Sequence, residues 1–208
     1  MKYKLIIFDF DGTLADTFPW FASVINKVAE KYHFRKIEKS ESEMLRNCDA
    51  HKILKFLGLS LWKIPMVANH MRTLMARDIH QIPLFEGIEG LLHRLSSKGL
   101  MLAVVSSNTY ENVCQILGTE NAALISYYEC GASMFGKEVK LRKIINKSGV
   151  LPGESMYIGD EIRDIEAAKK LNIAFGGVSW GYNRVESLKV HSPGVVFATV
   201  DEIAEKMA

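Results

Sequence analysis

Cysteine is scarce: the 208 residues contain three, Cys48, Cys114 and Cys130. They are odd in number, widely spaced and without CxxC or HxxxH company, which excludes a disulfide framework and a zinc site. Small core or near-core thiols in a reducing compartment are expected instead. Long apolar runs are also missing. Nothing approaches the length of a membrane span, and the apolar N-terminal run is broken by Asp9 and Asp11, unlike a secretory leader. Excess charge of one sign is absent too, with 26 Lys and Arg against 24 Asp and Glu and a formal net charge of +2. No Lys/Arg block stands out, so neither nucleic acid nor membrane is an expected partner. No internal repeat or low-complexity segment occurs. Asn146-Lys147-Ser148 matches a glycosylation sequon, without meaning in the cytoplasm, which is the expected location. At 48% hydrophobic and 24% charged, the chain has the composition of a soluble globular protein. Its length is that of one ordinary domain with room for an insertion.

The stretch around which the rest is organised runs from Lys4 to Leu14. Its apolar part, rich in Ile and Phe, reads as a strand buried on both faces. It ends in Asp9 and Asp11, followed by Gly12 and Thr13. In a continuing strand residues two apart share a face, and like charges would crowd. A backbone that swings away at Gly12 can instead direct both toward a common ligand, at a strand end a hard cation such as Mg²⁺. An ordinary strand-to-loop turn uses the same residue types.

Between about residues 15 and 84 the periodicity is helical. Phe18, Phe21, Ile25, Val28 and Tyr32 define one helix face. Ser40-Glu41-Ser42-Glu43 has the capping-box pattern for a second, short helix. Asp49 caps a third that stops at Gly58, and the apolar residues from Val67 to Ile82 mark a fourth. A strand-free block of this kind predicts a small helical insert with its own apolar centre.

From Leu84 helices and strands alternate. Strands are expected at Met101–Val105, weakly at Leu124–Glu129, then at Ser155–Ile158, Ala174–Val178 and Val195–Ala198. A final helix opens on the capping box Thr199-x-x-Glu202. This alternation implies an α/β fold, a Rossmann-like parallel sheet with helices on both faces, whose ligand site lies beyond the carboxyl ends of the strands. Residues 1–14 and 85–208 then form the core domain and 15–84 a helical cap domain.

The residues that can carry chemistry fall at those ends. Ser106, Ser107 and Asn108 offer a hydroxyl and backbone N–H groups at a helix start, suited to a phosphoryl oxygen and equally to helix capping. Gly159-Asp160-Glu161-Ile162-Arg163-Asp164 is a second acidic cluster. Asp160 and Asp164 share a helix face if the helix already begins near Asp160, and a cation would relieve their repulsion. Gly131 to Lys137 nearly matches a nucleotide P-loop, but Glu138 stands where Ser or Thr should bind Mg²⁺. Lys137 is better used as a point charge that neutralises a phosphate and the carboxylates, with Lys140 the competing candidate.

Taken in order, Asp9-x-Asp11-Gly-Thr, Ser106 after an apolar strand, a lysine, and Gly159-Asp160-x-x-x-Asp164 resemble the haloacid dehalogenase superfamily. One departure is Glu138 after Lys137, where many relatives have Lys-Pro. Trp180-Gly181-Tyr182 looks similar to a motif of phosphoglycolate phosphatase-like members. The resemblance implies a Mg²⁺-dependent phosphatase acting on a small phosphorylated metabolite. Asp9 would be the nucleophile and Asp11 the general acid and base. Asp9, the Asp11 carbonyl and Asp160 would hold the metal, with Asp164 behind them, and Ser106, Ser107, Asn108 and Lys137 would bind phosphate. Phosphomutase activity and nucleotide binding through Gly131–Lys137 are the alternatives. Phe18, Trp20, Arg46, Asn47 and His51 are candidate cap residues near the substrate, and a monomer or homodimer is expected.

Overall fold

The computed structural model describes residues 2–132 and 136–207. Six parallel strands form one sheet in the order β3-β2-β1-β4-β5-β6. They are β1 (Leu5–Asp9), β2 (Met101–Val105), β3 (Tyr127–Glu129), β4 (Ser155–Gly159), β5 (Ala174–Val178) and β6 (Val195–Phe197). The weakly expected strand is thus three residues long, and β5 has the bounds expected for it, Ala174–Val178. β1 is central, paired with β2 on one side and β4 on the other. Successive side chains alternate between faces: Ile6 and Phe8 enter one apolar cluster, Leu5 and Ile7 the other. Both faces are covered, which is why the strand reads as a continuous apolar run.

Helices α5 (Ile88–Ser97), α6 (Tyr110–Ala123) and α10 (Val200–Lys206) contribute to the Ile6 and Phe8 cluster. α7 (Gly136–Ser148), α8 (Ile162–Lys170) and α9 (Val185–Val190) contribute to the other. No described helix is long and apolar enough to cross a membrane.

Before α5 the chain lays down α1 (Phe18–Tyr32), α2 (Ser42–Leu45), α3 (Ala50–Phe56) and α4 (Ile64–Arg77), with 3₁₀ turns at Leu61–Lys63 and Ile79–Gln81. The way out and the way back lie side by side. Ala15 bridges both Asp11 and Leu84, the Asp16 N–H donates to the Pro83 carbonyl at 2.9 Å, and the Phe85 N–H donates to Leu14 at 3.0 Å. The insert therefore hangs from a two-stranded neck that is continuous with the loop bearing Asp11.

Several local expectations are corrected. The capping box at Ser40–Glu43 does not form: α2 has no side-chain cap, and the Glu41 carboxylate instead accepts from Arg35 and from the Glu38 N–H. Ile79 and Ile82 lie beyond α4, in and after the 3₁₀ turn. On α1 the buried side chains include Trp20 and Val24, whereas Phe18 and Phe21 turn toward the ring of Tyr182. Asp49 does cap α3 through the Lys52 N–H at 2.8 Å. At Thr199 the threonine half of the box forms, while Glu202 reaches the Ala198 N–H rather than the cap.

Phe8 is fully buried at the sheet centre, one residue before the first carboxylate. Phe8→Ala is expected to cost about 3–5 kcal/mol in urea denaturation. A loss below about 1 kcal/mol would contradict the packing described for β1.

Candidate active site

β1 ends at Asp9 and the chain turns at Gly12, whose φ of +79° an L side chain rarely adopts. Contact excludes a side chain there as well, since a Cβ would lie 2.4 Å from Asp160 Oδ2. The turn therefore presses the Asp11–Thr13 segment onto the end of β4.

The two N-terminal carboxylates then part company. Asp9 accepts from the Phe10 N–H at 2.8 Å through Oδ1 and forms an ion pair with Lys137 through Oδ2. Asp11 turns elsewhere, accepting from the Ser106 hydroxyl at 3.1 Å and from the Asn108 amide at 3.4 Å. Asp9 thus joins a cluster with Asp160 and Asp164, whose ligand atoms all lie within 4.8 Å of one another. Asp11 faces the start of the β2–α6 loop.

That loop is built around Ser106, whose Oγ also accepts from the Asn108 N–H at 2.9 Å. The cap of α6 is Thr109, so Ser106 and Asn108 are not spent on capping. Ser107 is exposed, and its carbonyl accepts from Arg72 of α4 at 3.4 Å.

Lys137 and Lys140 differ in role. Lys137 is buried and bridges Asp9 and Asp164. Burial opposes its charge, but Asp164 and Asp9 outweigh that and raise its pKa. Lys140 donates to the carbonyls of Ser106 and Gly131, and burial lowers its pKa to about 8. The near-P-loop falls partly on residues 133–135, outside the described residues. Its lysine is engaged by two carboxylates, and Glu138 pairs with Arg142 and Lys170.

Helix α8 starts at Ile162, after Asp160 rather than at it, so Asp160 and Asp164 do not share a helix face. Asp164 reaches back, accepting from the Glu161 N–H at 3.0 Å and from Tyr157 Oη at 2.7 Å. Asp160 accepts from Thr13 Oγ1 at 2.8 Å and from the Tyr182 N–H at 2.7 Å. A Cβ on Gly181 would sit 2.1 Å from Asp160 Cβ, so the 180–183 loop lies flat against this carboxylate.

Burial raises the pKa of Asp9 to about 7 despite Lys137. Burial also raises Asp11, and it lifts Asp160 well above the ordinary range, reinforced by Asp9. Asp160 is fully buried and, among the described residues, has no cationic partner, because Lys137 is shared by the other two. Three buried carboxylates against one lysine are a donor set of hard oxygens short of positive charge, and this set fits Mg²⁺.

Of the candidate cap residues, Phe18 packs edge-on against Tyr182 and Arg46 donates to the carbonyls of Gly181 and Tyr182. Trp20 is turned inward to Asp78, Asn47 accepts from Ser187, and His51 is exposed. A cavity of about 320 Å³ lies between the insert and the 182–183 loop, lined by Phe18, Phe21, Leu45, Arg46 and Tyr182 among others. The sequence offered weak signals for the supporting residues: Tyr157 is one aromatic among several in buried strands, and Thr13 and Tyr182 stand inside noted motifs without an evident role.

The chain matches the model of the haloacid dehalogenase-like hydrolase family over residues 6–178. It belongs to that family, as a phosphoric monoester hydrolase. Among its relatives, a phosphoglycolate phosphatase of Synechococcus elongatus is 30% identical over 97% of this chain and 96% of its own. The tyrosine-protein kinase PtkA of Mycobacterium tuberculosis is 27% identical over 98% of this chain and 72% of its own. A haloacid dehalogenase-like family hydrolase from Streptococcus pneumoniae shares the fold, with a TM-score of 0.83 at 18% identity, covering 100% of this chain and 99% of that one.

Asp160→Asn should stabilise the metal-free protein. A carboxyl whose pKa is raised on folding penalises the folded state increasingly as pH climbs above its unfolded value. The gain should therefore be large at pH 8 and shrink at pH 5. The amide keeps both hydrogen bonds, because the Thr13 hydroxyl can turn to accept. In thermal melts a rise of several degrees at pH 8 is expected, since about 1 kcal/mol moves Tm by roughly 2–4 °C at this size. Mg²⁺ should raise the parent's Tm and leave the variant's unchanged. A lower Tm for the variant at pH 8 would contradict this charge balance.

Proposed function

We propose that this hydrolase is a Mg²⁺-dependent phosphatase that cleaves small phosphomonoesters, phosphoglycolate-like in size, through an aspartyl-phosphate on Asp9. The observation that carries the reading is the separation of two neighbouring carboxylates into different environments. Asp9 is held by a lysine, and Asp11 is held by a hydroxyl and an amide with its pKa raised by burial.

An Asp9 oxygen attacks phosphorus while the ester P–O bond breaks, and the departing alkoxide takes the proton of Asp11. Asp11, now a carboxylate, removes a proton from water as that water attacks the phosphoryl group. The Asp9–phosphorus bond breaks and inorganic phosphate leaves. Lys137 keeps the attacking carboxylate oriented and balances charge on the transferring group, and Tyr157 and Asp164 keep Lys137 in place. Ser106 and Asn108 hold Asp11 toward the leaving oxygen; with Ser107 they offer donors to the phosphoryl group. Asp9, the Asp11 carbonyl and Asp160 would hold Mg²⁺, with Asp164 behind them. When bound, the ion would polarise the phosphoryl oxygens and relieve the crowding of carboxylates.

The substrate class is supported by the relative from Synechococcus elongatus, which is called a phosphoglycolate phosphatase and aligns with nearly the whole chain. The insert, which reaches the site at Ser107 and at the 181–183 loop, supports a cap that limits substrate size. We place the enzyme in the cytoplasm, in keeping with three half-buried, unbridged cysteines.

Rapid mixing with p-nitrophenyl phosphate separates the two carboxylates. Asp9→Asn should give no burst and no turnover. Asp11→Asn should release p-nitrophenolate in a burst approaching one equivalent, because this leaving group needs little protonation. Turnover should then be slowed about 10²–10⁴-fold by loss of the base. Turnover by Asp9→Asn near the parent rate would mean that the nucleophile lies elsewhere.

A further inference from the structure

The residues that face the reacting groups do not explain how Asp160 is aimed. It is the one carboxylate of the cluster without a cationic partner among the described residues, and its direction depends on the Thr13 hydroxyl and the Tyr182 N–H. The Tyr182 amide belongs to a loop with no regular structure of its own, between β5 and α9. Something must fix that loop.

The fastening comes from the insert. Arg46, just after α2, donates from Nη2 to the Gly181 carbonyl at 2.8 Å and from Nε to the Tyr182 carbonyl at 3.0 Å. These are the carbonyls on either side of the peptide N–H that holds Asp160. A planar guanidinium suits such paired recognition, which a lysine cannot reproduce. The guanidinium is itself fixed, 5.2 Å from the Phe18 ring centre and 3.7 Å from a Glu43 oxygen. Its own main-chain carbonyl accepts from the Arg184 N–H at 3.0 Å and from Asn183 Nδ2 at 2.9 Å. Asn183 Oδ1 in turn accepts from the Ile162 N–H at 3.0 Å, at the start of the helix that carries Asp164. Two inward N–H groups of Arg46 are thus committed to main-chain carbonyls rather than turned to a substrate phosphate.

We propose that Arg46 is a positioning residue for Asp160, through which the helical insert sets the geometry of the cation-binding end of the site. The inference rests on the reading of Asp9 and Asp160 as the carboxylates that hold Mg²⁺. It gives the insert a part in metal binding that is separate from any part in choosing substrates. Loss of such supporting contacts typically weakens metal affinity about 10–100-fold.

The test is calorimetric titration of the full chain with Mg²⁺ in the absence of substrate, for the parent, Arg46→Ala, Arg46→Lys and Glu43→Ala. Steady-state kinetics with p-nitrophenyl phosphate accompany it. Arg46→Ala should bind Mg²⁺ about tenfold more weakly. Its kcat should recover at high Mg²⁺, with the KM for the ester within about twofold of the parent. Arg46→Lys should fall between the two, and Glu43→Ala, which removes one of the contacts that fix the guanidinium, should weaken Mg²⁺ binding less than Arg46→Ala does. If Arg46→Ala does not fold, the lysine variant carries the test: an affinity at least threefold weaker than the parent is expected. Unchanged Mg²⁺ affinity in the folded Arg46 variants would overturn the proposal. A rise in KM with unchanged Mg²⁺ affinity would overturn it too, and would make Arg46 a substrate-binding residue. Failure of the phosphatase reading would look different: the parent would bind Mg²⁺ in an Arg46-dependent manner and hydrolyse no phosphomonoester.

Discussion

The ion pairs of buried Lys137 with Asp9 and Asp164 hold together the three elements that make the site. Asp9 ends β1, Asp164 lies in the first turn of α8, and Lys137 is near the start of α7. A lysine in an apolar interior keeps its charge only when carboxylates compensate, and removing one partner from such a group costs several kcal/mol, about 3–5. The arrangement is nonetheless unbalanced. Asp160 stands beside the triad without a cation of its own, and Asp11 is turned away to a serine and an asparagine. A protein built for stability alone would replace such a group with apolar side chains. The excess of negative charge is the feature on which the proposed cation binding and phosphoryl chemistry rest.

The sheet places these groups where chemistry is possible. Parallel strands with helices on both faces leave their carboxyl ends as the open rim, and Asp9, Ser106 and Asp160 all lie at or just beyond such ends. Gly12 and Gly181 allow two loops to close on Asp160, because a Cβ at either position would collide with it. The same two loops meet the insert. One is continuous with the neck at Ala15 and Leu84, and the other is held by Arg46. Position of the insert and orientation of Asp160 are therefore mechanically linked.

Much of this was legible in the sequence, for physical reasons that can be named. Leu5–Phe8 is apolar at every position because both sheet faces are covered, so the central strand and its two carboxylates announce themselves. The helical period between about residues 15 and 84 separates the insert from the alternating core. Other features depend on contacts distant in sequence. Whether Lys137 or Lys140 faces the carboxylates cannot be read from two lysines three residues apart on one helix. The structure gives Lys137 to the acids and Lys140 to the carbonyls of Ser106 and Gly131. Asp160 and Asp164 are not neighbours on a helix, because α8 begins two residues after Asp160 and Asp164 turns back toward Tyr157. Phe18 and Phe21 fit an apolar helix stripe, yet they face Tyr182, some 160 residues away in sequence. The failed capping box at Ser40–Glu43 has the same origin, since Arg184, 141 residues away in sequence, claims the Glu43 carboxylate.

The central claim is that the carboxylates are held short of positive charge until a cation arrives. In the metal-free protein burial raises the pKa of Asp9 to about 7 and lifts that of Asp160 above the ordinary carboxylate range. A cation bound by ionised carboxylates must displace the protons they carry. The direct measurement is calorimetric titration with Mg²⁺ at pH 6.5 in buffers of different ionisation enthalpy, which yields the protons released per ion bound. The expected value at pH 6.5 is on the order of one proton per Mg²⁺, with fewer released at pH 8.5 because Asp9, raised to about 7, is then already ionised. Binding at pH 6.5 with no proton release would contradict the charge balance on which the site is built.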